Sequence, residues 1–345
     1  MRKLAKVVEI DDVIEHTNAD ALELVIIGGW QCCVKKHEFK KGDLGVYFEI
    51  DSMLPLENHL FSFLDGRNVR INDGKRYARI KTMKLRGEIS QGLILPLSSL
   101  DLEHSYNVDD DLTEVLGIVK YEVTSNEGMC SRSAGSFPEF LRKSDQERVQ
   151  NLAKKIDYYK GQSFEVTYKL DGTSFTAFVF RSSLDDVYTG LCSRNVLLPT
   201  GELEEGNFYL NAFREYEIDR KLREYQKETD KFIAIQAELI GPRIQNNFEG
   251  VAENQLFVYS VFDITEQEYY RPAQARKIVT SLGLEYVPVF DEYFTLDHSV
   301  KELVELADGK SALNGKMREG LVFKCNNLPF SFKAVSNRYL LKCEK

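Results

Sequence analysis

Short apolar runs separated by turn-forming residues fill the first 125 residues of the chain, and this spacing constrains the fold more than any other feature. Runs such as 7–10, 44–50 and 92–97 are the length of single strands. No stretch between the turns is long enough for a sizeable helix, so the pattern predicts a small β-barrel. The predicted turns are Gly28-Gly29, Lys41-Gly42-Asp43, Asp65-Gly66 and Asp73-Gly74.

The remainder of the chain mixes strand and helix patterns, which predicts an α+β domain. Residues 126–137 are rich in Gly and Ser and are interpreted as a linker. Pro138 is predicted to open a helical segment whose apolar stripe continues to Ile156. The predicted organisation is therefore a β-rich domain at 1–125, the linker, and an α+β domain at 138–345.

Charge is distributed unevenly. The net charge of −9 argues against a nucleic-acid partner, but basic residues far outnumber acidic ones between Arg67 and Arg86. A basic strip within an acidic protein is typical of a local phosphate-binding face, with a solvated strand surface as the alternative. The predicted nucleic-acid contacts in this strip are Arg76, Arg79, Lys81, Lys84 and Arg86.

The sequence also indicates the cellular setting. The six cysteines form no C-x-x-C pair, so we expect free thiols rather than a zinc ribbon. No apolar run reaches the length of about 18 residues that a membrane helix needs, and no secretory signal opens the chain. We therefore expect an intracellular protein, cytoplasmic or nuclear, with no membrane partner.

A K-x-D-G segment at Lys169–Gly172 carries the first chemical signal. A strand-like run leads into it and a turn follows, which would place the lysine at the end of a buried strand beside Asp171. A lysine nucleophile must lose its proton, and its ordinary pKa is about 10.4. Burial or a nearby cation lowers that pKa, so the predicted position suits an activated amine.

Four further segments follow in order: a carboxylate at a strand end, an aromatic-rich strand, a second carboxylate with a lysine, and a final lysine. Individually each is an ordinary surface or core residue. Together with Lys169 they suit a nucleotide and a metal, because acids hold metal or ribose, aromatic rings stack on the base, and lysines neutralise phosphates. The residues are Glu238, Tyr259 or Phe262, Glu319 with Lys324, and Lys333.

This order, K-x-D-G, E-x-x-G, an aromatic strand, E-G-x-V-x-K and a final lysine, resembles the motifs of the covalent nucleotidyltransferases, which include ATP-dependent ligases and mRNA capping enzymes. Those enzymes mostly place an OB domain after the catalytic domain, whereas here the β-rich module comes first. That arrangement resembles RNA ligase family 5, whose members carry an N-terminal OB domain. The resemblance covers essentially the whole chain, including segments 45–52, 85–93, 144–151 and 330–337.

The resemblance implies a role for each motif residue. Lys169 would take the AMP and Glu238 would hold the ribose. Tyr259 would stack on adenine, with Phe262 as the second candidate. The acids would hold a divalent metal, Mg²⁺ or Mn²⁺, through its water shell; these are Asp171, Glu238 and Glu319.

Phosphate contacts are implied for four basic residues. Lys324 and Lys333 would act on the phosphates during catalysis, Arg148 resembles a residue that binds ATP phosphates, and Arg194 resembles one used near the nucleotide or the RNA ends. Many RNA ligases have a second lysine two residues after the last one, where this chain has Val335. The role of that second lysine is therefore open.

The implied activity is ATP-dependent joining of a 3′-hydroxyl and a 5′-phosphate of RNA, in nick repair, by a monomeric enzyme. A capping guanylyltransferase is one alternative, although it would use GTP and usually carries an OB domain after the catalytic domain. A nucleic-acid-binding protein with an inactive nucleotidyltransferase domain is another. The sequence leaves open whether the substrate is a nicked duplex or free ends.

Overall fold

The computed structural model describes residues 3–100, 105–121, 133–181, 186–201 and 207–343. The chain forms two compact units, and neither is one continuous segment. The first unit contains residues 1–123, 150–156 and 337–345; the second contains 124–149 and 157–336. Two short segments that the sequence pattern assigns to the second domain thus pack with the first unit.

The first unit is built from short strands joined by tight turns. Three hairpins have two-residue loops in which at least one residue has a positive φ angle, the geometry that lets a short loop match the strand twist. Those loops are Gly28-Gly29, Asp73-Gly74 and Arg86-Gly87. The strands are β1 Ala5–Glu9, β2 Asp12–Glu15, β3 Leu22–Ile27, β4 Trp30–Lys35, β5 Leu44–Phe48, β6 Ser52–Pro55, β7 Val69–Asn72, β8 Lys75–Arg79, β9 Thr82–Leu85, β10 Glu88–Gln91, β11 Leu93–Pro96 and β12 Val119–Lys120.

These strands form small sheets in the orders β1-β5-β11, β2-β3-β4, β9-β10 and β12-β6-β8-β7. Alternating residues point inward; in β4, for example, Trp30, Cys32 and Val34 are buried. The Trp30 ring packs against Tyr47, and its indole nitrogen donates to Asn151 Oδ1 at 2.6 Å. Phe48 and Phe61 form an edge-to-face contact in the core. Helix α5, Asn337–Cys343, belongs to this unit.

The second unit has two sheets. The larger runs β13-β18-β17-β16-β19-β20-β21 with β22 beside β20, and the smaller runs β14-β25-β24-β15-β23. Its strands are β13 Gly135–Ser136, β14 Glu147–Arg148, β15 Ser163–Lys169, β16 Thr173–Arg181, β17 Val187–Cys192, β18 Val196–Leu198, β19 Ile233–Ile240, β20 Gln255–Asp263, β21 Glu268–Tyr269, β22 Glu285–Tyr286, β23 Val289–Thr295, β24 Gly320–Cys325 and β25 Ser331–Val335.

Three predicted helices are confirmed in the second unit. Helix α2 begins at Ile218 and α3 at Pro272, where proline suits the first turn. Helix α4 begins with a capping box between Ser299 and Glu302. Helices α1, α2 and α3 cover one face of the larger sheet with a continuous apolar core. The helices are α1 Phe208–Glu215, α2 Ile218–Thr229, α3 Pro272–Ser281 and α4 Val300–Ala307.

The helix predicted after Pro138 is wrong. Residues 138–146 have no helix, and the segment continues as β14 and the short 3₁₀ turns Val149–Leu152 and Ile156–Tyr159. The Arg142 carbonyl accepts hydrogen bonds from the side chains of Gln236 and Tyr269, so tertiary contacts hold this stretch extended. Of the predicted linker 126–137, residues 126–132 lie outside the described residues, and Gly135–Ser136 is strand β13.

Two other expectations concern the whole chain. The cysteines at 32, 33, 192 and 325 are free thiols, and Cys130 lies outside the described residues. Within the described ranges, every helix is too short or too polar to cross a membrane.

Candidate active site

Strand β15 carries Lys169 at its last position, as the sequence predicts. The strand lies between β23 and β24, and Lys169 pairs with Gly320. Alternation along β15 places Glu165, Thr167 and Lys169 on one face of the smaller sheet. That face carries the polar groups of the candidate site.

The glycine of the K-x-D-G segment permits a close approach of two strands. A side chain at Gly172 would collide with the Leu239 carbonyl oxygen at 2.5 Å, so only glycine lets the chain pass the end of β19. Directly after it, Ser174 on β16 pairs with Glu238 on β19. The local sequence therefore brings Glu238 to the turn that follows Lys169.

Three carboxylates surround the Lys169 amine. Glu319, which directly precedes β24, accepts a hydrogen bond from Lys169 Nζ at 2.5 Å, and the charges of Glu238 and Asp171 also act on it. Burial lowers the pKa of the Lys169 amine, but the three acids outweigh it, and the net pKa is raised. The expected lowered pKa is thus wrong for the protein without ligands, because anions outnumber cations around the amine.

The excess of negative charge around Lys169 also affects the pKa of Glu238. Burial raises the pKa of its carboxyl to about 8; Lys169 opposes this rise, while Glu319 and Asp171 reinforce it. Arg194, which follows β17, also acts on Glu238 to lower its pKa. Arg194 forms an exposed ion pair with Asp145, so it lies at the rim of the site rather than inside it.

A fourth acid was missed in the sequence. Glu249 is 1% exposed and accepts a hydrogen bond from Ser311 Oγ at 2.7 Å. Burial raises the pKa of its carboxyl; hydrogen bonds from Ser311 and from the Asp171 backbone act in the opposite direction, and the charges of Glu319 and Lys169 also reach it. Glu249 follows an irregular turn with no strand pattern, so its neighbours along the chain gave no signal.

The acids fit a divalent cation held through water rather than directly. No group of three or more acidic, histidine or cysteine side chains in the described part of the chain converges closely enough to ligate one ion. Among the same residues, Glu319 Oε2 and Glu249 Oε1 are buried without a hydrogen-bond partner. Unpaired carboxylate oxygens in an acidic cluster suit the hydrated Mg²⁺ or Mn²⁺ ions that prefer oxygen ligands.

The two aromatic candidates differ in position. Phe262 is completely buried and packs against Tyr269, so it offers no face to a ligand. Tyr259 is partly buried, and its hydroxyl is 2.9 Å from the Ser144 hydroxyl. Burial and the Glu238 charge raise the pKa of Tyr259. We therefore retain Tyr259 and drop Phe262 as a stacking residue.

Three of the four predicted phosphate contacts lie on one face of the smaller sheet. Lys324 on β24 and Lys333 on β25 lie on the same face, because Val322 pairs with Lys333. Arg148 is buried on β14 and pairs with Lys333 in parallel register. Burial lowers the pKa of Lys324 to about 8. The structure thus brings these three basic residues to the sheet face that carries Lys169.

The basic strip of the first unit lies on the hairpins β7–β8 and β9–β10. Arg76, Lys84 and Arg86 are exposed, Lys81 is partly buried, and Arg76 pairs with Asp65. Ile71, opposite Arg76 in β7, is an exposed apolar neighbour.

Arg79 does not belong to this exposed face. Its side chain is only 6% exposed, forms an ion pair with Asp51 at 2.7 Å, and lies 3.7 Å from the Tyr121 ring centroid. These contacts fix Arg79 inside the unit, so we do not retain it as a nucleic-acid contact. The prediction counted charge along the sequence, which carries no information on burial.

Comparison with known proteins agrees with this geometry. A family model for an OB-fold domain matches residues 4–97, and the RNA ligase family model matches 162–342. No match was found among curated proteins. Ligand-free Naegleria gruberi RNA ligase, as a lysine-to-alanine variant, is 37% identical with a TM-score of 0.90, covering 99% of this chain and 98% of its own.

Two other Naegleria gruberi RNA ligase structures match equally well. A lysine-to-alanine variant with ATP and Mn and a lysine-to-methionine variant with AMP and Mn are each 37% identical, with a TM-score of 0.89 and coverage of 98% of both chains. The family models, the identity and the coverage agree across the whole sequence. The chain belongs to the RNA ligase family and carries an OB-fold domain ahead of its ligase domain.

Proposed function

We propose that this RNA ligase joins a 3′-hydroxyl and a 5′-phosphate of RNA through a covalent lysyl-AMP on Lys169. The observation that carries the proposal is the amine of Lys169 at the end of β15, paired with Glu319 and surrounded by Asp171 and Glu238. Naegleria gruberi RNA ligase, which shares this fold, was crystallised with ATP and Mn and with AMP and Mn. ATP and a divalent cation are therefore the proposed ligands here.

The reaction has three transfers. Lys169 Nζ attacks the α-phosphorus of ATP, a phosphoramidate forms, and the bond to pyrophosphate breaks. The AMP then passes to the 5′-phosphate of RNA, which regenerates the amine. Finally the 3′-hydroxyl attacks this activated phosphate and AMP leaves. A covalent intermediate divides one difficult displacement into easier steps.

The acids set the protonation of the nucleophile. In the protein alone, Glu319 accepts the hydrogen bond from Lys169 Nζ and the raised pKa keeps the amine protonated. A divalent cation held by Glu319, Asp171, Glu238 and Glu249 through water would offset this negative charge and so lower the pKa of the amine. Glu319 is well placed to receive the proton that Lys169 must lose.

Other residues would hold the nucleotide and the RNA. Tyr259 offers the partly buried ring for adenine, and Arg148 with Lys333 offers positive charge for the phosphates on the same sheet face. Arg194 at the rim is placed for the triphosphate or the RNA end. The exposed basic residues of the first unit, beside Ile71, suit an RNA backbone with an unstacked base. We propose a nicked duplex as substrate and a monomeric, intracellular enzyme.

Incubation with labelled ATP or GTP and Mn²⁺, followed by a denaturing gel, tests the proposal. We expect covalent label from ATP, lost in Lys169→Ala, and sealing of a nicked RNA duplex that requires the 5′-phosphate. Label from GTP alone would indicate a capping enzyme, and no label from either would indicate a binding protein. A matrix of nicked and free RNA and DNA ends then identifies the preferred substrate.

The exposed basic strip gives a separate prediction. Replacing Arg76, Lys84 and Arg86 with Gln should weaken RNA binding and lower the salt dependence by about one unit of slope per lost phosphate contact. Lysyl-AMP formation should stay within about twofold, since those residues lie outside the second unit. Arg79→Gln is the contrasting variant: it should lower the melting temperature. Unchanged sealing by the triple variant would show that the strip is only a solvated surface.

A further inference from the structure

Strand β20 has a β-bulge at Tyr259. Gln236 of β19 pairs with Ser260, and the next residue, Ala237, pairs with Val258, so Tyr259 is the extra residue between them. A bulge interrupts the ladder and redirects a side chain, and such irregularities are common beside functional sites. The direction of the Tyr259 ring therefore depends on what holds the bulge in place.

Two side chains from outside β20 lie at the backbone carbonyl of Tyr259, and one of them, Lys324, donates to it. Lys324 Nζ donates to this carbonyl and also to Ser260 Oγ at 3.0 Å. The Tyr286 hydroxyl lies 3.5 Å from the same carbonyl oxygen. The amine of Lys324 also lies 5.6 Å from the centre of the Tyr259 ring. The bulge is thus fixed from the smaller sheet by Lys324, while Tyr286 of β22 lies beside the same carbonyl.

Both of these side chains converge on Glu165. Tyr286 Oη donates to Glu165 Oε1 at 2.7 Å, and Glu165 is the cross-strand partner of Lys324. Glu165 is completely buried and pairs with Arg276 Nε at 2.9 Å, while Arg276 extends to the exposed Glu292 at 2.6 Å. A buried carboxylate without partners is costly, so these contacts hold one another in place.

The charges agree with this arrangement. Burial raises the pKa of Glu165, and Tyr286, Lys324 and Arg276 lower it in that order. Burial lowers the pKa of Lys324, and the Glu165 charge acts against this. Glu165 therefore favours the protonated ammonium that donates to the Tyr259 carbonyl.

We propose that Glu165 is a positioning residue for nucleotide-base binding: held by Tyr286 and Arg276, it acts through Lys324 on the bulge that directs the Tyr259 ring. The inference rests on the proposed function, because it takes Tyr259 as the ring that stacks on adenine. It gives Lys324 a role beyond a phosphate contact, since two of the three donors of its ammonium are already used within the protein.

Comparing the binding of two ligands separates the contribution of the base from that of the phosphates. In the Lys169→Met background, which cannot form lysyl-AMP, calorimetry with Mn²⁺ would measure binding of ATP and of inorganic tripolyphosphate, which has no base. Glu165→Gln should weaken ATP binding about tenfold, within the range for one stacked base, and leave tripolyphosphate unchanged. Glu292→Gln, an exposed acid paired with the same arginine, is the control and should change neither.

A double-mutant cycle with Tyr259→Leu tests whether Glu165 acts through the ring. Each change alone should weaken ATP binding, and the two together should be no worse than the larger single effect. Additive losses of ATP affinity would overturn the inference. An equal loss of tripolyphosphate affinity would also overturn it, because Lys324 would then act as a phosphate contact. If Glu165→Gln lowers the melting temperature, Tyr286→Phe, which removes only a hydroxyl, can replace it in the same double-mutant cycle. Tyr286→Phe should weaken ATP binding severalfold and leave tripolyphosphate binding unchanged.

Failure of the proposed function would look different. A Lys169→Met protein that binds tripolyphosphate but neither ATP nor GTP would reject the adenylyltransferase proposal and this inference together. Intact ATP binding with additive effects rejects only the role of Glu165.

Discussion

Lys169 and Lys324 lie on the same face of the smaller sheet, yet their surroundings change their proton affinities in opposite directions. The pKa of Lys169 is raised, because burial is outweighed by Glu319, Glu238 and Asp171. The pKa of Lys324 is lowered to about 8, because burial is opposed only by Glu165. The number of nearby carboxylates, rather than depth of burial, separates the two amines.

This difference distinguishes a site that is ready for a cation from a network whose buried carboxylate already has positively charged partners. Around Lys169 the acids outnumber the bases and two carboxylate oxygens of the described residues lack a partner, so a cation would improve the balance. Around Lys324, the charge of the buried Glu165 is balanced by Lys324 and by the ion pair with Arg276, and Lys324 Nζ already donates to Ser260 Oγ. The first arrangement suits chemistry and the second suits positioning.

Removing each lysine in turn should produce the largest contrast. Lys169→Ala should abolish lysyl-AMP formation, because no other amine occupies that strand end, while a substrate already adenylylated at its 5′ end should still be joined weakly. Lys324→Ala should leave lysyl-AMP detectable and raise the KM for ATP about tenfold or more, the range for a lost hydrogen bond to a charged group. Label retained in Lys169→Ala would contradict the assignment of the nucleophile.

The carboxylates should differ in the same way. Glu319→Ala should slow lysyl-AMP formation by about a hundredfold or more, the effect of removing one charge-stabilising group from a site, without lowering the melting temperature. Glu292→Ala, also an acid in an ion pair, is the matched control and should change the rate less than about twofold. Near-normal rates for Glu319→Ala at saturating Mn²⁺ would give Glu319 a structural role.

The pH dependence of ATP binding sharpens the assignment of Lys324. Because its pKa is about 8, the ammonium loses its proton above that pH and can no longer hold the Tyr259 carbonyl in the same way. The KM for ATP should therefore be flat below about pH 7 and rise severalfold between pH 8 and 9. Lys324→Arg, which keeps its proton, should remove this rise. An identical rise in both proteins would assign it to another group.

The smallest expected effect concerns stability. The pKa of Glu238 is raised from 4.5 to about 8, so between these values the folded protein holds a proton that the unfolded chain releases. The contribution of Glu238 is thus fully present below pH 4.5 and is lost as pH rises towards 8. Glu238→Gln cannot ionise, so its free energy of unfolding should fall less over this range. Urea unfolding at several pH values measures the two slopes, and equal slopes would contradict the shift.

The chemical order of the site could be predicted from sequence, because each motif residue lies in a strand or directly beside one and the strands are short and clearly bounded. Lys169, Glu238 and Glu319 come together as that order implies. The OB-fold and ligase-domain architecture is likewise confirmed by the family models. Individual roles for these residues remain predictions until the variants are measured.

Other features depend on register and burial, which the sequence does not display. Glu165 sits between the buried residues Phe164 and Val166 in β15, and nothing along the chain reveals that it opposes Lys324 across the sheet. Arg79 is the last residue of β8, yet its pairing with Asp51 is visible only in three dimensions. The pKa of Lys169 was misjudged for the same reason: of the acids that raise it, Glu238 and Glu319 come from distant segments.

The first unit is assembled from both ends of the chain, and this has a consequence for synthesis on the ribosome. Gly29 donates to the Gln150 carbonyl, Trp30 to Asn151, and Gln91 to Asn337 in α5. An emerging chain often folds its N-terminal domain first, but here two partners of that domain are made much later. The Trp30 donor stays without its acceptor until Asn151 has been made, and the surface for α5 stays uncovered until Asn337–Cys343 has been made, so the domain that is begun first is completed late.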